Sequence, residues 1–239
     1  MAELLMIRPT AAGQPVCVHS GLEYSGEICP RGHYGGGENL MGGEIVYWTV
    51  RRRLSDFATR LSVLRDLDRP QPGKSHYRDS DGKHMDGYVT FGAERHQFEC
   101  QPLQHEQVIA LEQAMGVRLP EQFREFLSSI GTGAGPYYGI EPYETLLECA
   151  RPACARPFPW AEDDTFWLDE FSESDPDGCL PIVSYGCGTI VALITAGAHR
   201  GRVVYLGLDF ACVPGPDFLT FYDKWLNESL AELESGERS

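Results

Sequence analysis

The stretch DGCLPIVSYGCGTIVALITAGAHRGRVVYLGLDFACVPGPDFLTFYDKWLNESL, residues Asp177 to Leu230, decides the fold of this chain. Two apolar runs rich in β-branched residues, Thr189 to Ile194 and Arg202 to Leu206, are joined by the glycine-bounded connector AGAHRG. β-branched residues favour strands and a short connector with glycine favours a hairpin. We therefore expect these runs to form paired central strands.

The end of the same stretch has the pattern of an amphipathic helix. Its large apolar residues recur at the spacing of one helix face, and they are Phe218, Phe221, Tyr222, Trp225, Leu226 and Leu230. Asp217 precedes them where a carboxylate can cap the first turn. A hairpin followed by an aromatic-faced helix is typical of a packed core.

Two further helices are predicted between His105 and Gly131. The apolar positions are Val108, Leu111 and Met115 in the first, and Phe123, Phe126, Leu127 and Ile130 in the second. Pro120 suits the opening of the second helix and Gly131 suits its end. The pattern then indicates a short strand at Tyr137 to Ile140 and a helix around Glu144 to Ala150.

This C-terminal pattern resembles the SUKH superfamily, the Smi/Knr-like domains found widely among bacterial immunity proteins. The shared features are the helix ending in Met115-Gly116, the Leu119-Pro120 step, the helix with Phe123, Phe126 and Leu127, the triplet Leu180-Pro181-Ile182, the glycine pair around Cys187 and the closing helix from Phe218 to Leu226. The resemblance implies an α+β fold with a mixed, largely antiparallel sheet and packed helices. It also implies stoichiometric, non-catalytic neutralisation of a toxin, often one with a nuclease domain.

Charge and pattern both change near residue 104, which predicts two regions. Residues 105–239 form the SUKH-like domain, and residues 1–104 form a small N-terminal α+β module or annex of unknown role. The elements expected in the N-terminal region are a strand at Glu44 to Val50, a helix from Ser55 to Asp68, and a hairpin of Tyr88 to Phe91 with His96 to Cys100.

Negative charge is concentrated in the SUKH-like region. The chain has a net charge of −15, but residues 1–104 carry 12 Lys and Arg against 13 Asp and Glu, whereas residues 105–239 carry 8 against 22. Such a field repels nucleic acid and anionic membranes and accelerates encounters with basic proteins. We therefore expect a basic protein partner, the cognate toxin, and binding to neither nucleic acid nor membrane.

The sequence WAEDDTFWLDEFSESDPDG, Trp160 to Gly178, is here called the acidic segment. It contains eight acidic residues, four large aromatic residues, and no lysine or arginine. Carboxylates steer a basic partner while desolvated rings supply interface energy. The alternative is that the rings close the core and the acids are solvated. The predicted partner-binding residues are Trp160, Glu162, Asp163, Asp164, Trp167, Asp169 and Glu170, together with Tyr185 in the adjoining Tyr185 to Gly188 turn.

One group of cysteine and histidine residues suggests a metal site. Its members are Cys17, His19, Cys29 and His33. Their spacings, C-x-H and C-x₃-H, differ from the C-x₂-C pairs of zinc ribbons. These residues are weak zinc candidates, and the alternative is a turn-rich cap with ordinary thiols.

The best enzymatic alternative is a thiol hydrolase with Cys187 as the nucleophile and His199 as its base. An orienting group and oxyanion donors cannot be assigned from the sequence, so we expect no enzymatic activity and no cofactor. The third alternative is an intracellular scaffold or regulatory protein-binding module. No apolar run is long enough to span a membrane and the N-terminus lacks a signal peptide, which predicts a cytoplasmic protein with reduced thiols. The oligomeric state is left open.

The metal hypothesis is tested by elemental analysis. If the four Cys and His residues are ordinary side chains, the purified protein should contain substoichiometric zinc, and a chelator should leave its Tm unchanged. One tightly held zinc per chain, lost on Cys29→Ser, would show that they form a metal site.

Overall fold

The computed structural model describes residues 6–9, 15–19, 22–24, 41–73, 75, 78, 80–84, 86–159, 176–207 and 212–235, with side chains from residue 49 onward. The chain divides into two compact units, Met1–Val50 and Arg51–Ser239. Among the described residues, no helix has both the length and the apolar character that crossing a membrane requires.

The first unit contains a three-stranded antiparallel sheet. Its strands are β1 (Met6–Pro9), β2 (Pro15–His19) and β3 (Leu22–Tyr24), with β2 in the centre. Two of the zinc candidates, Cys17 and His19, belong to β2, but their side chains are outside the described part of the structure, as are Cys29 and His33 altogether. The zinc hypothesis therefore stays a prediction.

The long helix α1 (Met41–Leu67) replaces the strand predicted at Glu44 to Val50, which was wrong. The β-branched residues of that stretch favoured a strand, but the apolar positions continue a helical period without interruption. The buried members of this series are Val50, Leu54, Phe57, Leu61 and Leu64. The chain contains neither glycine nor proline from Glu44 to Leu67, so nothing ends the helix early.

The hairpin predicted between Tyr88 and Cys100 is also absent from the described residues. The chain instead forms a short helix, α2 (Ala93–His96), and a two-residue strand, β4 (Cys100–Gln101). Gly92, Gln97 and Phe98 all have positive φ angles, of 80°, 49° and 57°. These left-handed residues reverse the chain at both ends of α2, which an extended hairpin strand does not allow.

The predicted helices of the SUKH-like region are confirmed. They are α3 (His105–Met115), α4 (Glu121–Ser129) and, after strand β5 (Thr132–Gly133), α5 (Tyr143–Cys149), followed by a 3₁₀ turn at Pro152–Ala155. Gly116 ends α3 with a φ of 70°, where glycine avoids the strain of a side chain. Strand β5 pairs with β4, and the strand predicted at Tyr137 to Ile140 is reduced to bridges made by Ile140.

The central sheet is formed by β6 (Cys179–Gly186), β7 (Thr189–Ile194) and β8 (Val203–Leu206). All pairings are antiparallel, with Ile190 opposite both Ser184 and Leu206. Ile140 bridges Val183 on one side and Gly133 on the other, which joins the β4–β5 pair to this sheet. The predicted hairpin and the α+β class with its antiparallel sheet are confirmed.

Helix α6 (Phe218–Ser235) closes the fold through an aromatic core. Its predicted cap is confirmed, because Asp217 Oδ1 accepts a hydrogen bond from the Thr220 backbone N–H at 3.1 Å. Phe218 packs edge to face on two rings of α4, with centroids 4.7 Å from Phe123 and 4.8 Å from Phe126. Such pairs add stability beyond the area that they bury.

Helix α1 contributes to the same core. The Phe57 ring lies 5.3 Å from that of Tyr222, and Arg60 forms an ion pair with Asp223. These contacts join residues on either side of the predicted boundary at residue 104. The boundary itself stays a prediction.

The contribution of α1 is measurable by substitution. Phe57 is 1% exposed, so Phe57→Ala should lower the free energy of unfolding by about 3–5 kcal/mol through lost burial and the cavity left behind. Val63, on the exposed side of the same helix, is 40% exposed, and Val63→Ala should change it by less than about 0.5 kcal/mol. If urea unfolding gave Phe57→Ala and Val63→Ala the same loss of unfolding free energy, α1 would not pack as described.

Candidate functional site

An open cavity of about 370 Å³ lies where α6 faces the ends of β6 and β8 and two loops. We call it the aromatic cavity. Half of the side chains that line it are aromatic, with polar and charged residues between them: Thr90, Phe91, Pro136, Tyr137, Tyr185, Tyr205, Phe221, Lys224, Trp225, Glu228, Ser229 and Glu232. Concave sites of this kind are the usual places where proteins bind ligands or partner side chains.

Three tyrosines form one wall of the aromatic cavity. The Tyr137 ring centroid lies 4.2 Å from that of Tyr185, and the Tyr137 and Tyr205 hydroxyl groups are hydrogen-bonded at 3.1 Å. Burial above all, and then the Tyr205 hydroxyl, raises the pKa of Tyr137. The Tyr137 phenol therefore stays neutral, and the wall offers uncharged rings and hydroxyl oxygens.

Close backbone packing holds Tyr137 in place. Its own φ is +55°, an uncommon conformation for a residue with a side chain. Gly92 lies directly against it, since a Cβ at Gly92 would come within 1.7 Å of the Tyr137 carbonyl oxygen. Asp68 fixes the neighbouring loop, because its buried carboxylate accepts hydrogen bonds from the Val89 and Thr90 backbone N–H groups, both at 2.9 Å. The cavity is therefore largely preformed.

Helix α6 supplies the opposite wall. Phe221 and Trp225 are buried, whereas Glu228 is exposed and Glu232 is half-buried one turn further along the same face. Lys224 Nζ lies 3.6 Å from Glu228 Oε1. The helix thus presents an apolar floor beside two carboxylates and one ammonium group.

Two buried polar atoms at the aromatic cavity have no hydrogen-bond partner among the described residues. They are Thr90 Oγ1 and Trp225 Nε1. Thr90 and Trp225 line the cavity and are 2% and 8% exposed. Buried polar groups are normally satisfied, so an unpaired donor and acceptor here indicate that the cavity accommodates polar groups of water or of a ligand.

His96 supports the floor of the aromatic cavity from behind. Its ring packs edge to face on Trp225 at 6.1 Å, and its Nδ1 accepts a hydrogen bond from the Phe98 backbone N–H at 3.1 Å. Burial lowers the pKa of His96 to about 4 despite the opposing effect of the Gly135 backbone. The imidazole is therefore neutral at physiological pH.

The structure places one predicted site residue, Tyr185, in the wall of the aromatic cavity. Its role in binding stays a prediction. The other seven predicted residues lie outside the described part of the chain: Trp160, Glu162, Asp163, Asp164, Trp167, Asp169 and Glu170.

Phe158, just before the acidic segment, and Gly178, its last residue, lie at the other end of β6 from Tyr185. Phe158 donates its backbone N–H to Ala196 O, and Gly178 donates its own to Ala153 O. Gly178 directly precedes β6, whereas the Tyr185 to Gly188 turn follows it. The two parts of the predicted binding surface therefore need separate tests.

The structure does not assemble the thiol pair of the enzymatic alternative. Cys187 is exposed in the turn before β7, with a φ of 50°, whereas His199 lies in the connection after β7. A strand rises about 3.3 Å per residue, so the six residues of β7 separate the two side chains by far more than a hydrogen bond. The glycine-bounded turn brings Cys187 close to the Tyr185 side of the sheet and away from the proposed base. Six cysteines are described, and no disulfide is formed among them.

Most of the aromatic cavity was not recognised from the sequence. The helical pattern assigned Phe221 and Trp225 to the core alone, and Tyr137 to a strand. A usable signal is the placement of tyrosines beside glycine or proline, in GPYYG and SYGCG, because these residues mark turns, and turns lie at the surface where binding residues are common.

The fold and the cavity define an α+β domain in which an antiparallel sheet and aromatic-faced helices frame a surface cavity. Residues 102–228, more than half of the chain, match the family model described as SMI1 / KNR4 family (SUKH-1), and the chain belongs to this family. The resemblance seen in the sequence is thereby confirmed. No curated protein and no solved structure matches the chain.

The buried imidazole predicts a pH dependence of stability. Between pH 6.5 and about 4 the unfolded chain binds a proton at His96 that the folded chain does not, so the free energy of unfolding falls as the pH falls through this window. Replacing the imidazole by His96→Gln should remove about 1–2 kcal/mol of the difference in unfolding free energy between pH 7 and pH 5. The matched control is His105→Gln at an exposed histidine. If the free energy of unfolding of His96→Gln depended on pH as steeply as that of the unmodified protein, His96 would not be buried in the neutral form.

Proposed function

We propose that this protein is an immunity protein that neutralises a bacterial toxin in the cytoplasm by stoichiometric, non-catalytic binding. The observation that carries the proposal is membership of the SMI1 / KNR4 family, which includes immunity proteins. The acidic SUKH-like region supports it independently. A nuclease toxin has a basic substrate-binding surface, and carboxylates can occupy that surface in place of phosphates.

The acidic segment is the proposed partner-binding surface. Its eight carboxylates give a strong local field, and its rings can desolvate at an interface. Asp177, the one acid of the segment within the described residues, forms an ion pair with Arg156 at 3.4 Å. Exposed pairs of this length add little stability, so the Asp177 carboxylate contributes little to holding the fold.

The proposal is tested first by capture of the partner. The tagged protein is purified from its native cell, the bound protein is identified, and the two are coexpressed in a toxin-sensitive host. The proposal predicts a basic toxin in a defined stoichiometric complex, and a host that survives expression of the toxin only when this protein is coexpressed. Capture of a non-toxic endogenous protein in stoichiometric amount would favour a scaffold or regulatory module instead.

The charge of the acidic segment should govern the association rate. Replacing Asp163, Asp164, Asp169 and Glu170 by their amides removes four charges while nearly preserving side-chain volume, so the protein should remain folded. Association with the identified toxin should slow by about tenfold or more at low salt and lose most of its salt dependence, because steering charges act on the encounter. Stopped-flow or surface-based kinetics at two salt concentrations measure both quantities.

A second four-charge variant serves as the matched control. Exposed acids elsewhere in the same region are changed to glutamine: Glu106, Glu121, Glu144 and Glu148. Net charge changes equally in both variants, so only a local surface distinguishes them. Equal kinetics in the two variants would show that the acidic segment is an ordinary solvated surface. Trp167→Ala should mainly raise the dissociation rate, at a cost of about 2 kcal/mol or more if the ring is an interface anchor.

A further inference from the structure

We propose that the aromatic cavity is a receptor for an arginine side chain presented by a basic protein partner. This inference rests on the proposed function in one respect, the basic character of the partner. It concerns the described residues of the aromatic cavity and not the acidic segment. The cavity, its charges and its unpaired polar atoms each favour this occupant.

The size and walls of the cavity suit a guanidinium group. Its volume of about 370 Å³ is near the lower end of ligand sites, which run from about 300 to 1,000 Å³, and so fits one side chain with a few main-chain atoms. The rings of Tyr137, Tyr185 and Tyr205 converge on it. A planar guanidinium stacks on such rings, whereas an ammonium group is more strongly hydrated and loses more on entering.

The charges at the rim select a cation. Among the described residues that line the cavity, Glu228 and Glu232 face a single cation, Lys224, which already lies beside Glu228. After burial and the neighbouring tyrosines, the negative charge of Glu228 is a further, smaller cause that raises the pKa of Tyr137. Two carboxylates can accept the forked N–H groups of arginine in a geometry that a lysine cannot reproduce.

The unpaired buried atoms complete the match. Thr90 Oγ1 can accept a guanidinium N–H, and the Trp225 indole N–H can donate to a main-chain carbonyl of the same segment. An arginine-bearing peptide supplies both groups at once. A peptide with an aliphatic side chain would still offer the carbonyl to Trp225, but it would leave Thr90 Oγ1 unpaired at a cost.

An arginine of this chain already stacks on a tyrosine ring close to the aromatic cavity. The Arg95 guanidinium lies 4.2 Å from the centroid of the Tyr138 ring, next to Tyr137 in sequence. Phe91, which lines the aromatic cavity, is 51% exposed and packs on the same Tyr138 ring at 5.6 Å. An exposed aromatic side chain at the rim is typical of a surface that a partner covers.

The experiment uses the full chain and two capped tripeptides, acetyl-Gly-Arg-Gly-amide and its citrulline analogue, which has the same shape without the charge. Binding is followed by NMR through the Trp225 indole signal, assigned with Trp225→Phe, and through the tyrosine ring signals. The arginine peptide should bind in the millimolar range and about fivefold or more tighter than the citrulline peptide, with shifts at Trp225, Tyr185 and Tyr205.

Three variants locate the effect. Glu228→Gln with Glu232→Gln should weaken binding of the arginine peptide about fivefold, whereas Lys224→Gln should strengthen it, because the competing cation is removed. The four-amide variant of the acidic segment should bind the peptide as the unmodified protein does. These substitutions change exposed or half-buried side chains, and circular dichroism checks that each variant remains folded.

Three results would overturn the inference: equal affinity for the arginine and citrulline peptides, weaker binding in Lys224→Gln, or no shift of the cavity signals at millimolar peptide. None of these results bears on toxin neutralisation, which is measured with the toxin and the acidic segment. Conversely, loss of the toxin complex in the four-amide variant with normal peptide binding would support both proposals as separate surfaces.

Discussion

The hydrogen bond from the Tyr222 hydroxyl to the Ala134 carbonyl oxygen, 2.8 Å long, is the contact on which the rest of the structure depends. Tyr222 is fully buried among aromatic rings from α1, α4 and α6, and desolvation raises the pKa of its phenol. A buried hydroxyl or carbonyl group that is left unpaired costs about 1–3 kcal/mol. The hydrogen bond therefore favours one position of α6 relative to the loop after β5. That loop carries Tyr137 three residues later. The core therefore sets the distance between the two walls of the aromatic cavity.

The packing of the core therefore creates the aromatic cavity, and the cavity lowers the stability of the fold. Trp225 contacts Tyr222 and His96 on one side and lines the cavity on the other, which leaves its indole N–H without a partner among the described residues. A well-packed apolar residue at this position would avoid that cost. A donor in a preformed concave surface is useful only if something enters, which is why we associate the site with binding rather than with stability.

The sequence predicted correctly those elements in which apolar residues recur regularly and a turn or cap residue marks each end. The strands from Thr189 and the helix from Phe218 have clear glycine, proline or cap residues at their ends. The errors fall where a local preference competed with a longer pattern. Ile45, Val46 and Val50 favour a strand, but Val50 also begins the helical series that continues to Leu64, and the longer series prevailed. The cavity could not be predicted in the same way, because its residues come from separate segments that only tertiary packing brings together.

The two proposed surfaces interact with a partner through different amounts of water. They therefore act at different steps of binding, one during approach and the other in the complex. Charges on the acidic segment that act through water are screened over about 8 Å at physiological ionic strength, so they guide approach more than they hold a complex. A guanidinium stacked on the tyrosine wall would be partly removed from water, where both stacking and hydrogen bonding strengthen. The charge of the acidic segment therefore suits fast capture, and the cavity suits slow release.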